Sequence, residues 1–178
     1  MTRRETGLVH IYCGDGKGKT TAAVGLCMRA AGFGYRVLIY QFMKDNGSSE
    51  RKALLQVQGI TLMDGPRQEK FSFRMTPEEK EQCRLFNDSQ LQMVSETAVS
   101  GGYDVLFLDE ALYAIRAGLL DEEKLVAFLD GKPACLEVIL TGRDPDERLM
   151  ERADYISEIR KVKHPFDHGE RARKGIEL

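Results

Sequence analysis

The residues with the clearest chemical purpose lie in the stretch YCGDGKGKTT, Tyr12 to Thr21. Gly18, Lys19 and Thr20 supply the second half of the phosphate-binding pattern G-x-x-x-x-G-K-[ST], but Cys13 stands where the first glycine belongs. Gly14, Asp15, Gly16 and Lys17 fill the interior of the loop, and Thr21 follows it. Glycine-permitted dihedrals turn successive backbone N–H groups around an anion, and the helix that follows adds its positive N-terminal end. Lys19 then brings a mobile positive charge, and the Thr20 hydroxyl is placed to meet Mg²⁺. Cysteine at 13 costs little if its backbone is extended. The bland alternative is a glycine-rich turn before a basic helix start. Strand, loop and helix occur in the order a phosphate loop requires, so nucleotide binding is expected.

A second element lies downstream. Asp109 and Glu110 close the apolar run Val105-Leu106-Phe107-Leu108. A carboxylate at a strand end can hold Mg²⁺ directly or through water, although two solvated acids at a strand terminus give the same pattern. Glu110 admits two roles: orienting water in a hydrolase, or ligating metal in a transferase. Phe71 and Phe73 sit in a polar loop between Lys70 and Arg74. They read equally as core anchors beneath the loop or as an apolar lid over a large flat ligand. His10 lies within a strand and reads as structural. His164 and His168 have a metal-like spacing of four, but Pro165 and Gly169 argue against the helix that would align them. The basic tail Arg171-Ala172-Arg173-Lys174 reads as a solvated end.

The elements that must position these residues alternate along the chain. Leu8–Tyr12 is a short β-rich run, followed by a helix rich in alanine and glycine that Gly32 and Gly34 end. Arg36–Phe42 reads as a buried strand. Residues 46–75 are less regular, with a short strand near Gly59–Met63. Thr76-Pro77-Glu78-Glu79 combines a cap, a first-turn proline and a capping-box glutamate, and starts a helix that Gly101 and Gly102 stop near Ser100. A strand at 104–110, a helix capped by Asp121, a strand at 136–142, a helix start at Asp144-Pro145-Asp146-Glu147 and a last strand at 155–159 complete the series. Apolar strands alternating with helices imply an α/β fold, a mostly parallel sheet covered on both faces. Ligands in such folds collect at the carboxyl ends of the strands, where both the glycine loop and Asp109-Glu110 fall.

The 178 residues suit a single domain, 1–178, large enough to bury a core. A formal net charge of -2 gives no global electrostatic case for nucleic acid. No apolar run approaches the ~18 residues that span a bilayer, and MTRRETG is too short and polar for a secretory signal. The four cysteines, at 13, 27, 83 and 135, form no C-x-x-C pair, so reduced thiols in a cytoplasmic protein are expected.

Taken together, GDGKGKTTAAVG (14–25), YQFMK (40–44), LFLDE (106–110), ILTGRDP (139–145) and VKHPFDHGERARKGIE (162–177) resemble the P-loop ATP:corrinoid adenosyltransferases of vitamin B12 biosynthesis and salvage. The resemblance covers nearly the whole chain in the family's order. The family's loop usually reads G-N-G-K-G-K-T-T after a non-glycine, so Cys13 is no defect, while Asp15 replaces the usual asparagine. The resemblance implies a P-loop, RecA-like fold and transfer of the 5′-deoxyadenosyl group of ATP to Co(I) of a corrinoid, with release of triphosphate. It implies a nucleotide lying reversed along the loop, leaving the ribose carbon exposed. Gly14 to Thr21 would bind ATP, and Lys19, Thr20 and Glu110 would carry the chemistry. Thr20 and Glu110, with Asp109 a weaker candidate, would meet Mg²⁺ or Mn²⁺, and Arg143 would contact nucleotide or triphosphate. Phe71 and Phe73 would cover one corrinoid face, with Phe at 73 where Trp is often found. A flavin-dependent reductase and a homodimer are implied as partners. On residues alone, a P-loop ATPase or small-molecule kinase, or a nucleotide-binding switch without turnover, remains open.

Overall fold

The computed structural model describes residues 7–44, 46–65 and 72–176. Six strands, β1 (Val9–Cys13), β2 (Val37–Gln41), β3 (Ile60–Leu62), β4 (Val105–Asp109), β5 (Glu137–Thr141) and β6 (Tyr155–Glu158), form one sheet in the order β3-β2-β4-β5-β1-β6. Every pairing is parallel. The central strands β2, β4 and β5 are buried at every position, as near-continuous apolar runs in a doubly covered sheet require.

The two faces divide the apolar residues by alternation. Val37, Ile39, Val105, Phe107 and Ile139 meet α1 (Lys19–Phe33) through its small buried residues Ala23, Cys27 and Ala31. These recur at i, i+4 and i+8, so one narrow stripe lets the helix lie close to the sheet. Leu38, Tyr40, Leu106, Leu108, Val138 and Leu140 face the other way. They pack against α3 (Pro77–Ser100), through Leu91 and Val94, and α5 (Glu122–Gly131), through Leu125 and Leu129.

Most local signals act where the sequence places them. Thr76 accepts a hydrogen bond from the Glu79 N–H while Glu79 accepts from the Thr76 N–H, a complete capping box. Asp121 caps α5. Helix α1 runs through Gly32, and Gly34, with φ of 102°, ends it.

Two expectations need correction, and the reading of His10 stands. Two short helices, α2 (Ser49–Leu54) and α4 (Ala111–Arg116), occupy stretches read as irregular or not assigned. The cap of α6 (Glu147–Met150) is Asp146, which accepts from the Arg148 N–H, and not Asp144. Asp144 instead has a left-handed backbone and pairs with Arg116. His10 is structural: its Nε2 meets Glu137 Oε1 at 2.5 Å and its ring stacks on Tyr155, joining β1 to both neighbours.

Sheet register brings the site together. Gln41 lies beside Asp109 and Tyr12 beside Thr141, so four strands end at one level beneath the glycine loop.

Candidate active site

The loop between β1 and α1 opens onto a cavity of about 930 Å³, whose wall includes Gly16 to Thr21, Lys44, Glu50 and Glu110. Cys13 is the last residue of β1 and is buried, so the position where the common pattern has glycine is extended strand. The need for glycine moves one place along. Gly14 has φ of 106°, and a Cβ there would lie 2.4 Å from the Ile159 carbonyl oxygen. Gly18 forms the N-cap of α1 with φ of 121° and offers no side chain, leaving the first-turn amides of a 15-residue helix uncapped for an anion. The Lys19 Nζ donates to the Gly16 carbonyl at 2.9 Å, which folds the side chain back over the loop.

Asp109 is the hub of the site. Its carboxylate is fully buried. One oxygen accepts from Thr20 Oγ1 at 2.9 Å and from Thr141 Oγ1 at 2.7 Å. The other accepts from Gln41 Nε2 at 3.0 Å and pairs with Lys44 Nζ at 2.8 Å. Four donors fill the acceptor sites of the group, so Asp109 fixes the Thr20 hydroxyl instead of presenting free oxygens. Lys44 also meets Glu50 at 3.1 Å. Burial alone would lower the Lys44 pKa, but the Asp109 and Glu50 carboxylates outweigh it and hold the ammonium above its ordinary value.

Glu110 is placed differently. The Glu110 N–H donates to Thr141 Oγ1 at 2.8 Å, and its φ of 57° is left-handed, a conformation that costs a non-glycine residue about 1 kcal/mol or more. The turn sends its side chain into the cavity wall. Burial, then the Asp109 charge, raises the Glu110 pKa; Lys44, Lys19 and Arg143 pull it down less strongly. A carboxyl whose pKa is raised on folding is disfavoured in its ionised form. That penalty is absent below the unfolded pKa and complete above the folded one. Glu110→Gln is therefore expected to raise the melting temperature of the ligand-free protein near pH 7.5, with the gain shrinking toward pH 4. Equal shifts at both pH values in thermal scans would remove the charge penalty as its cause.

Arg143 is exposed and close enough to influence Lys19, Glu110 and Asp15. Phe71 lies outside the described residues. Phe73 falls in the 3-10 turn Ser72–Arg74, and its side chain is likewise outside them. The Ser72 hydroxyl ties this turn to the Tyr113 hydroxyl of α4, 3.3 Å away. Gln41, Lys44, Glu50 and Thr141 join the site without having been assigned a role there, although YQFMK had marked the first two, and ILTGRDP the last, as parts of motifs. The basic tail is exposed, as expected of a solvated end, yet His164, Phe166, Arg171 and Arg173 also line the same cavity as Lys19.

Metal fit follows from the donors. Among the described residues no three His, Cys, Asp or Glu side chains gather as a cage. The Thr20 hydroxyl and the Glu110 carboxylate, with the Asp109 oxygens already taken up by their four donors, offer few, hard oxygen donors, the set that suits a Mg²⁺ or Mn²⁺ sharing its ligands with phosphates and water.

A parallel sheet with a glycine loop between β1 and α1, and an acid at the end of β4, one strand removed from β1, defines a P-loop nucleotide-binding protein. Among solved structures, the cytoplasmic domain of EssC superposes with a TM-score of 0.52 at 17% identity, covering 93% of this chain. This chain spans about a third (35%) of that one, and the likeness concerns fold alone. Residues 5–178 match the model of the ATP:corrinoid adenosyltransferase family BtuR/CobO/CobP, and the chain belongs to that family. The corrinoid adenosyltransferase of Escherichia coli K12 is 32% identical over 97% of this chain and 86% of its own length. The Salmonella typhimurium corrinoid adenosyltransferase CobA is 30% identical over 99% and 88%, and that of Pseudomonas aeruginosa 27% over 100% and 87%.

Proposed function

We infer that this chain transfers the 5′-deoxyadenosyl group of ATP to the cobalt of a reduced corrinoid, in vitamin B12 biosynthesis or salvage. Family membership over residues 5–178 carries the reading. In the reaction the cobalt lone pair forms a bond to C5′, the C5′–O bond breaks, and its electron pair leaves with inorganic triphosphate. Co(I) is itself the nucleophile, so the protein needs no base to create one.

The work left to the chain is positioning and charge. The uncapped first turn of α1 and Lys19 hold the triphosphate. Asp109, through its hydrogen bond, fixes the Thr20 hydroxyl. Thr20 and Glu110 would hold Mg²⁺ or Mn²⁺, which when bound offsets negative charge on the phosphates. Lys44, between Asp109 and Glu50, keeps the acidic floor of the cavity neutralised. Arg143 adds positive charge at the leaving group. Phe71 and Phe73 are assigned to the corrinoid face, where an apolar cover would exclude a lower axial ligand and ease reduction of Co(II). A flavin-dependent donor for that reduction, a homodimeric assembly and a cytoplasmic location belong to the same proposal. Two observations fit the location: the four thiols are free, and no described helix is long and apolar enough to cross a membrane.

The products test the reading. ATP added to chemically reduced cobalamin or cobinamide should give one inorganic triphosphate per Co–C bond, read by ion chromatography and by the corrinoid spectrum. Stoichiometric ADP without a Co–C product would replace the transferase with an ATPase or kinase. Glu110→Gln should slow transfer about 10–100-fold, with partial recovery at raised Mg²⁺.

A further inference from the structure

The tail from Ile159 onward has no task in the reaction above, yet it is built onto the phosphate loop. The Ile159 N–H donates to the Cys13 carbonyl at 2.8 Å, and the Gly16 N–H returns to the Ile159 carbonyl at 2.7 Å. The Lys161 N–H donates to Asp15 Oδ1 at 2.8 Å. Contact is close enough that a Cβ at Gly16 would lie 2.7 Å from the Arg160 carbonyl carbon.

Past this anchor the chain makes a 3-10 turn, Pro165–His168, held from two sides. His164 Nδ1 accepts from the Phe166 N–H at 3.1 Å, and Lys161 Nζ donates to Asp167 Oδ1 at 2.8 Å. Gly169, left-handed at φ 86°, closes it. The turn presents Phe166, which is 73% exposed and belongs to neither apolar core cluster. Phe166 lines the cavity that holds Lys19 and Thr20, as do Pro165 and Ile176.

An unburied phenylalanine on a hydrogen-bonded turn contributes nothing visible to packing. In a cavity whose other wall is made for phosphates, it offers an apolar face to a planar ring. Five residues separate Phe166 from the Lys161 anchor, at most about 18 Å of chain, within reach of the far end of a nucleoside triphosphate seated on the loop. We propose that Phe166 is the platform on which the adenine base of ATP stacks, with the tail turn as the nucleobase wall of the site. This rests on the ATP-binding part of the function proposed above and is independent of the transfer step.

The test compares ATP with inorganic triphosphate, which has no base, by calorimetric titration in the presence of Mg²⁺. Phe166→Ala should raise the Kd for ATP about tenfold, the loss expected for one base–aromatic stack. The Kd for triphosphate should not change, and Phe166→Tyr should match the parent with both ligands. Equal weakening of ATP and triphosphate would make the tail only a support for the loop and overturn the proposal. So would unchanged ATP binding, or unchanged ATP binding with a raised corrinoid KM, which would assign the ring to the corrinoid. Because Phe166 is exposed, the variant should melt with the parent, so a weaker grip on ATP cannot be put down to misfolding. Parent protein that binds ATP but forms no Co–C bond would sink the proposed transfer while leaving the nucleobase wall standing.

Discussion

Lys19→Ala is expected to lower turnover by about 10²–10³, the loss seen when one donor to a developing oxyanion is removed, while the protein stays folded. The two effects separate because of what Lys19 does before ligand arrives. Among the described residues its ammonium donates one hydrogen bond, to the Gly16 carbonyl. Burial lowers its pKa, the nearby Arg143 charge adds to that, and Glu110 opposes it. A lysine whose pKa falls on folding is disfavoured as a cation in the folded state, so its charge costs stability at neutral pH. Truncation relieves that cost and forfeits one hydrogen bond worth about 1 kcal/mol. Only the departing triphosphate makes full use of the charge. Single-turnover rates with chemically supplied Co(I), beside thermal scans, check both halves. A rate within roughly threefold of the parent, under 1 kcal/mol of barrier, would remove Lys19 from the mechanism.

How far the site could be read from the sequence follows from how locally each part is encoded. The phosphate loop and Asp109-Glu110 are contiguous, and each sits at a strand end that a buried apolar run announces. Gln41, Lys44 and Thr141 belong to other strands or the loops after them. They reach Asp109 only because parallel register sets Gln41 beside it and ends β5 at the same level. Nothing in their own neighbourhoods marks that meeting. Helix α4 was silent for a related reason. Its N-cap is Glu110, with a left-handed backbone and no side-chain cap bond, so the usual start signal is missing where a functional residue occupies the turn. The tail's share in the cavity was silent because its anchors are backbone groups: the Ile159 carbonyl and the Lys161 amide carry no sequence signature, while its charged, exposed side chains resemble any solvated end. Phe71 lies beyond the described residues, and the choice between lid and core anchor for that pair rests on the corrinoid assignment alone.

The largest loss of stability is expected at Asp109, and the size of the effect depends on which residue replaces it. Asp109→Ala leaves the Thr20 and Thr141 hydroxyls, the Gln41 amide and the Lys44 ammonium facing an apolar methyl group. Breaking a buried ion pair from one side costs about 3 kcal/mol or more, or about 6–12 °C for a domain of this size. The lower figure applies because Lys44 is partly exposed and retains Glu50. The Lys44 share has a defined pH range. Its pKa is raised on folding, so the contribution is complete below the unfolded lysine value and is lost as pH rises through the folded one. Asp109→Asn should be milder. Its carbonyl can still accept from Gln41 and Lys44 if its NH₂ faces the two threonines, whose hydroxyls must then accept. That reversal turns the Thr20 proton away from Asp109 toward the cavity, where the phosphates and any metal sit. Asp109→Asn is therefore expected to melt closer to the parent than Asp109→Ala, yet to bind Mg²⁺–ATP about 10–100-fold more weakly, the usual consequence of losing the partner that orients a ligand. Melting curves at pH 7.5 and titrations with Mg²⁺–ATP measure both quantities. An asparagine variant with parent-like nucleotide affinity would show that the direction of the Thr20 hydroxyl does not matter, leaving Asp109 a purely structural hub.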